Sequence, residues 1–249
     1  MRSLSDPKSD LTTFVPAMYD FRFKQFTLRQ DRCALKVGTD AVVLGAWADV
    51  DGARILDIGT GTGVLALMVA QRNPAARIDA VEIDDASAEQ AGENAAASPW
   101  APRVRVHRMD VRRLHADAPF DRILCNPPFY AGEMGSPDAR TGVAKHGGGL
   151  RFAELLDVVD RMLAEQGRFA CIIPLNREAA LRAIAAAHGL GAARRCVLHY
   201  LEGRPPKRVL LELDRAGGDL REEQLLVEHR PGVFSTAYRA LLAPFLLKF

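Results

Sequence analysis

No run of about 18 uncharged apolar residues occurs in this chain of 249, and its start, MRSLSDPKSD, has no apolar core of the kind a secretory signal carries. A membrane span and export are therefore not expected, and a cytoplasmic protein is. Cysteine is scarce: Cys33, Cys125, Cys171 and Cys196 lie far apart with no CxxC pair, which argues against zinc and offers no disulfide framework. Free, mostly buried thiols and no metal are expected. Excess charge of one sign is also missing, since the net charge is +2, so the chain as a whole is no obvious polyanion binder. Its basic residues do cluster, at Arg22 and Lys24, at Arg103, Arg105 and Arg108, at Arg112 and Arg113, and at Arg204, Lys207 and Arg208. Such clusters suit either phosphates or an ordinary solvated face. Neither internal repeats nor low-complexity linkers appear, and 48% apolar with 26% charged residues is the composition of one globular domain.

What is present is alternation. From residue 54 on, short apolar runs (54–58, 77–83, 103–109, 120–126 and 167–174) alternate with segments of helical period (62–72, 85–97, 151–164 and 176–188). That is the pattern of βα units around a parallel sheet. Next come ARRCVLHYL and KRVLLELD, joined only by EGRPP, too short for a helical crossover, so they should pair as an antiparallel hairpin. The expected fold is α/β: a Rossmann-like, seven-stranded, mostly parallel sheet with an antiparallel last strand. Residues 1–13 are polar, whereas FRFKQFTLRQDRCALKVGTDAVVLGAWA carries three phenylalanines before a helix expected at 39–48. Residues 1–50 read as a flap or lid before the domain of residues 51–249.

The first strand of that domain runs into LDIGTGTG, placing Gly59, Gly61 and Gly63 in the turn that opens a helix. Glycine permits the tight turn and lets a ligand approach the backbone amides. The spacing departs from GxGxxG, because Val64 occupies the place of the third glycine. The second strand ends at Glu82, 23 residues after Gly59, where an acid can chelate ribose hydroxyls. Asp110 follows the third, in the sequence MDV with Val111, where it can accept from an adenine amino group. Each acid alone suits a solvated strand end, but ligands of such sheets bind at consecutive strand ends. Together these features resemble the class I S-adenosylmethionine-dependent methyltransferases.

The fourth strand ends in LCNPPFY, residues 124–130. Each proline fixes φ and confines the residue before it to an extended conformation, so Asn126 and Pro127 are held stiffly. An amine conjugated to a base or amide is a poor nucleophile, because its lone pair is delocalised. Asn126 can accept one N–H with its side-chain oxygen and Pro127 another with its carbonyl, which aims the lone pair, while Phe129 can stack on a flat substrate. Without the upstream motifs the same residues would read as a rigid surface turn. His146, beside three glycines, reads as a loop residue rather than a base.

NPPF resembles the signature of amino methyltransferases acting on adenine N6, guanine N2 or a glutamine amide. Residues 23–48, NPPFY, RPPKRVLLEL and the terminal FSTAYRALLAPFLLKF resemble the bacterial tRNA (adenine-N6)-methyltransferases, which modify the adenine 3′ of the anticodon in a valine tRNA. The glycine-rich HGGGLRF departs from that pattern. The resemblance implies S-adenosylmethionine as cofactor and tRNA as partner, in a monomer. It implies that Lys36, Thr39 and Asp40 flank the methionine end of the cofactor, with Asp57 in the loop beneath. From the residues alone, Lys36 reads as surface charge and Thr39 as a helix N-cap. Tyr130, Arg22, Lys24, Arg204, Lys207 and Arg208 are the candidates for RNA contact. The alternatives are a guanine-N2 or release-factor glutamine methyltransferase, a catalytically idle RNA-binding relative, and a nicotinamide oxidoreductase.

Overall fold

Residues 20–127 and 150–249 are described by a computed structural model of the chain. In chain order, β1 (Phe21–Arg22) and β2 (Thr27–Leu28) form a small hairpin of their own, followed by α1 (Thr39–Trp47). Then β3 (Arg54–Ile58), α2 (Val64–Arg72), β4 (Arg77–Glu82), α3 (Asp85–Ala96), β5 (Val104–Arg108) and β6 (Phe120–Cys125) lay down the first half of the large sheet. The second half adds α4 (Phe152–Met162), β7 (Leu163–Pro174), α5 (Glu178–Ala187), β8 (Gly191–Leu201), β9 (Arg208–Asp214), β10 (Arg221–Arg230), β11 (Val233–Phe234) and α6 (Thr236–Leu242).

The large sheet has the order β11-β10-β8-β9-β7-β6-β3-β4-β5. Strands β5, β4, β3, β6 and β7 are parallel neighbours, and β9 runs antiparallel between β7 and β8, as the short connection 202–207 requires. Among the described residues the expected seven strands are extended at one edge to nine: β10 adds in parallel beside β8, and β11 pairs antiparallel with β10. The two extra strands escaped the sequence reading because β10, REEQLLVEHR, is charged along most of its length and buries only Leu225 and Val227. Two buried residues two apart suffice for an edge strand with one solvated face, but they are a weak periodic signal.

Strand β7 shows how the sheet builds two cores. Ala170 and Ile172 join Leu124, Leu210 and the helices α1 and α2 on one face, while Phe169, Cys171 and Ile173 join Ile123, Leu211 and α4 on the other. Successive side chains of a strand point to opposite faces, so a sheet covered on both sides needs near-continuous apolar strands. The segment before residue 50 shares the first core: Phe23, Phe26, Leu28 and seven consecutive residues of α1 are buried, and Phe23 stacks on Phe26 with ring centroids 4.3 Å apart. Its described part is packed onto the domain. Gly38, in extended conformation, is the N-cap of α1, which corrects the reading of Thr39 as the cap; Thr39 is the first helical residue and meets the Tyr238 hydroxyl instead.

At the edge where the parallel strands begin, an ion cluster ties α1 to the hairpin. Glu212, fully buried, accepts the Asp49 amide at 2.6 Å and lies 3.5 Å from Arg168 and 3.8 Å from Arg194. Arg122 in turn donates to Asp49 at 2.8 Å. Burial pushes the Glu212 carboxyl up from its ordinary value, and the Asp49 amide and both arginines oppose that shift. Replacing one member of a buried ionic cluster strands the others. Glu212→Leu should therefore lower unfolding free energy by about 3 kcal/mol in urea titrations, and Glu212→Gln, which keeps an acceptor for the Asp49 amide, by less.

Candidate active site

The parallel run β5-β4-β3-β6 brings four chain segments to one edge of the sheet in the order Asp110, Glu82, Gly59 and Asn126. Ile58 pairs with Cys125, so Gly59 and Asn126 leave the sheet side by side. Gly59 and Gly61 adopt φ of +71° and +56°, and nothing lies within 4 Å of where a Cβ would stand on either. Both face open space with the backbone bared. Gly63, at φ +85°, is different: it is buried and its missing Cβ faces Ala91 of α3 at 3.7 Å, so it serves helix packing as well as the start of α2.

Buried hydrogen bonds hold this loop. The amides of Gly59 and Thr60 donate to Val81 O at 2.9 and 3.0 Å. Asp57, 1% exposed, accepts from the Thr60 hydroxyl at 2.6 Å and the Ala66 amide at 3.2 Å with one oxygen, while its other oxygen is buried without a partner. Burial raises its pKa to about 7, against the pull of those two hydrogen bonds. Glu82 closes the loop from the next strand, accepting from the Gly61 amide at 2.9 Å with one oxygen and from the Ile83 and Asp84 amides at 2.9 and 3.0 Å with the other. It is only half-buried, and a carboxylate has about four lone-pair sites, so its orientation is fixed with acceptor capacity left over. Next to it Ile83 is exposed over 55% of its surface, an apolar face beside an acid that the sequence reading passed over.

Asp110 caps the short turn 111–113 and is gripped by Arg112, whose guanidinium lies at 2.6 Å and also binds Glu154 of α4 at 2.9 Å. That guanidinium holds the Asp110 carboxyl below its ordinary range, so the group is an acceptor only. One basic residue of the presumed phosphate clusters is therefore engaged inside the site's frame. The Val111 side chain belongs to the core, which leaves only its backbone for any ligand.

Asn126 directly follows the last residue of β6. Asn126 Oδ1 is buried and accepts no hydrogen bond from the described residues. Phe129, Tyr130, His146 and the three glycines at 147–149 lie outside the described residues.

The other expected residues divide between the two edges of the sheet. The connection carrying Arg204 and Lys207, both exposed, meets the end of β7 through the Leu175 amide, which donates to Lys207 O at 3.0 Å. Pro174, Leu175, Asn176, Pro206, Lys207 and Arg208 line a cavity of about 450 Å³ there, one strand away from Asn126. Asp40 accepts from the Tyr200 hydroxyl and from Arg208 Nε at 2.9 Å, which pairs it with one of the candidates for RNA contact and joins α1 to the hairpin. Lys36 is exposed on the segment that leads into α1. Lys24 is not brought to the site. Its ammonium donates to the carbonyls of Ala243 and Phe249, and the neighbouring Gln71 and Trp100 mark the opposite edge, so Lys24 and the adjacent exposed Arg22 stand away from Asn126. Among the described residues no His/Cys/Asp/Glu group suits a metal ion and no helix is long and apolar enough to cross a membrane. The four thiols are free, three of them buried and Cys33 partly so.

Residues 35–147 match the family model described as the methyltransferase small domain. Among solved structures, a predicted O-methyltransferase from Agrobacterium tumefaciens superposes with a TM-score of 0.63 at 22% identity, covering 83% of this chain and 96% of that one, which shows the fold as that of the class I methyltransferases. The tRNA1(Val) (adenine(37)-N6)-methyltransferase of Tolumonas auensis is 44% identical over 92% of this chain and 98% of its own. The enzyme of the same name from Dyadobacter fermentans is 42% identical over 94% of this chain and 100% of its own. With more than two-fifths of its residues identical over more than nine-tenths of its length, the chain belongs to the family of the tRNA1(Val) (adenine(37)-N6)-methyltransferases.

Proposed function

We propose that the protein methylates the exocyclic N6 amine of an adenine in the anticodon loop of a tRNA, valine tRNA by the names of its relatives, with S-adenosylmethionine as methyl donor. The observation that carries the reading is the buried, unpaired Asn126 Oδ1 beside the bared Gly59 backbone. A buried acceptor left without a donor costs about 1–3 kcal/mol, and an incoming N–H relieves that cost.

The residues fit the cofactor. The open backbone at Gly59 and Gly61, where no Cβ stands in the way, suits close approach of its methionine part, Glu82 its ribose hydroxyls, and Asp110, the Val111 backbone and the exposed Ile83 an adenine ring. Lys36 and Thr39 stand on the segment approaching the same edge, with Asp57 shaping the loop below. When bound, the cofactor supplies an electrophilic methyl carbon on a sulfonium. The chain's own work is on the amine: Asn126 Oδ1 and the Pro127 carbonyl accept its two hydrogens, favour a pyramidal nitrogen and aim the lone pair. No general base is needed beforehand, because the nitrogen proton becomes acidic only after methylation. Phe129 and Tyr130 are proposed to stack on the base and the adjoining nucleotide.

Arg204 and Lys207, both exposed on the hairpin connection, suit the RNA backbone, with Arg208 beside them held by Asp40, whereas Lys24 is engaged elsewhere. Residues 1–50 are proposed as a front segment to the domain of residues 51–249, in a cytoplasmic monomer that works where tRNA is found. The deciding experiment incubates the protein with labelled S-adenosylmethionine and tRNA and digests the product. N6-methyladenosine is expected; label in protein or in methylguanosine would overturn the reading.

Asn126→Ala should lower kcat at least about a hundredfold, with the Kd for S-adenosylhomocysteine by calorimetry within about twofold of wild type. Arg204→Ala combined with Lys207→Ala should weaken tRNA binding and reduce its salt slope by roughly one per charge removed, measured by filter binding. Asp57 carries a pH signature. Its folded pKa of about 7 exceeds the ordinary 3.8, so between these values the folded chain holds a proton that the unfolded chain has released. Stability should therefore fall as pH rises from about 4 to about 7 and level off above, at about 1.4 kcal/mol per unit of difference. Asp57→Asn should lose that slope in melting curves taken from pH 5 to 8; parallel curves for the two proteins would refute it.

A further inference from the structure

Helix α3 turns three polar side chains inward: Ser87, Gln90 and Asn94 are 3%, 0% and 2% exposed. Their spacing of three and four residues sets them on one face of the helix. Buried polar groups persist only when hydrogen-bonded, and here the partner is the backbone of residues 29–34, running antiparallel to α3. The Arg32 and Cys33 amides donate to Gln90 Oε1, each at 3.1 Å, and the Ala34 amide donates to Ser87 Oγ at 3.3 Å. Asn94 takes the Arg29 amide at 2.9 Å and returns a bond to the Arg29 carbonyl at 2.9 Å. Its amide nitrogen also donates to the carbonyl of Thr62, at 2.9 Å, between the two glycines of the cofactor loop.

We infer that Asn94 is a positioning residue that couples the docking of residues 29–34 to the shape of the glycine loop, so that cofactor affinity depends on that docked segment. The inference rests on the reading of Gly59–Gly63 as the cofactor cradle. Asn94 engages both its amide hydrogens and its oxygen at once, and no other side chain reproduces that set: aspartate lacks the donors and glutamine is one methylene longer. The segment it grips leads directly to Lys36 and Thr39. Two events that share one set of bonds are linked reciprocally, so a ligand that orders the loop must also tighten the segment.

The test uses the full chain and S-adenosylhomocysteine, with calorimetry and amide hydrogen exchange. In wild type the ligand should slow exchange of the Arg32, Cys33 and Ala34 amides. Asn94→Ala should raise the Kd by about tenfold, the scale of one or two lost buried hydrogen bonds, and abolish the ligand-dependent slowing, with kcat at saturating cofactor within about twofold. A role confined to stability would lower the melting temperature and leave Kd unchanged. If Asn94→Ala fails to fold, Gln90→Met should raise the Kd by about threefold and release the Arg32 and Cys33 amides. An unchanged Kd in a folded variant, or segment amides indifferent to ligand in wild type, overturns the coupling. Wild type that binds no S-adenosylhomocysteine overturns the cofactor reading, and the coupling with it.

Discussion

Three glycines in left-handed conformation, stitched to the buried Asp57, set the shape on which everything else at this sheet edge depends. Several peptide groups of the turn are engaged. The Gly59 and Thr60 amides reach Val81, the Gly61 amide reaches Glu82, and the Thr62 carbonyl reaches Asn94. One turn therefore fixes Glu82 at the end of the next strand and Asn94 on the helix beyond it. A side chain forced to positive φ costs of order 1 kcal/mol or more, and that cost would distort several partners at once.

Much of this was legible because it is local. The strand-to-helix turn, the acids at strand ends and the proline-locked asparagine are each encoded within a few residues. The parallel order that lines them up follows from βα alternation. Illegible were the pairings between residues far apart in the chain. Nothing near Asp40 announces Tyr200 and Arg208, which follow it by 160 and 168 positions. Lys24 likewise looked free because its acceptors stand 219 and 225 residues away. The polar face of α3, DASAEQAGEN, gave no sign of its partner for a related reason: the amides it binds are backbone, and backbone carries no signature in a sequence.

The two edges of the sheet use charge differently. At the far edge Glu212, Asp49, Arg122, Arg168 and Arg194 satisfy one another in the interior. Charges buried in this way neutralise locally and project little field. At the edge with Asn126, Arg204 and Lys207 are exposed on the hairpin connection. An RNA loop approaching that edge meets exposed positive charge next to a strand end with an unsatisfied acceptor, so phosphate contacts can set the position before any base is read.

Unpaired buried atoms mark the places where folding alone was not the governing demand. Among the described residues these are Arg54 Nε, Asp57 Oδ1, Gln71 Oε1 and Asn126 Oδ1. The first and third belong to side chains that make other bonds at the far edge: Arg54 binds Asp117 and Gln71 donates to Pro244 O. Asn126 Oδ1 meets no donor among the described residues. Its oxygen sits on a strand end stiffened by two prolines, where the backbone cannot relax toward a donor, and a hydrophobic isostere there would cost less to bury. Selection for stability would remove that oxygen. The proposed role supplies the missing donor from outside: a planar amine with two hydrogens offers one to Asn126 and a second to the adjacent proline carbonyl.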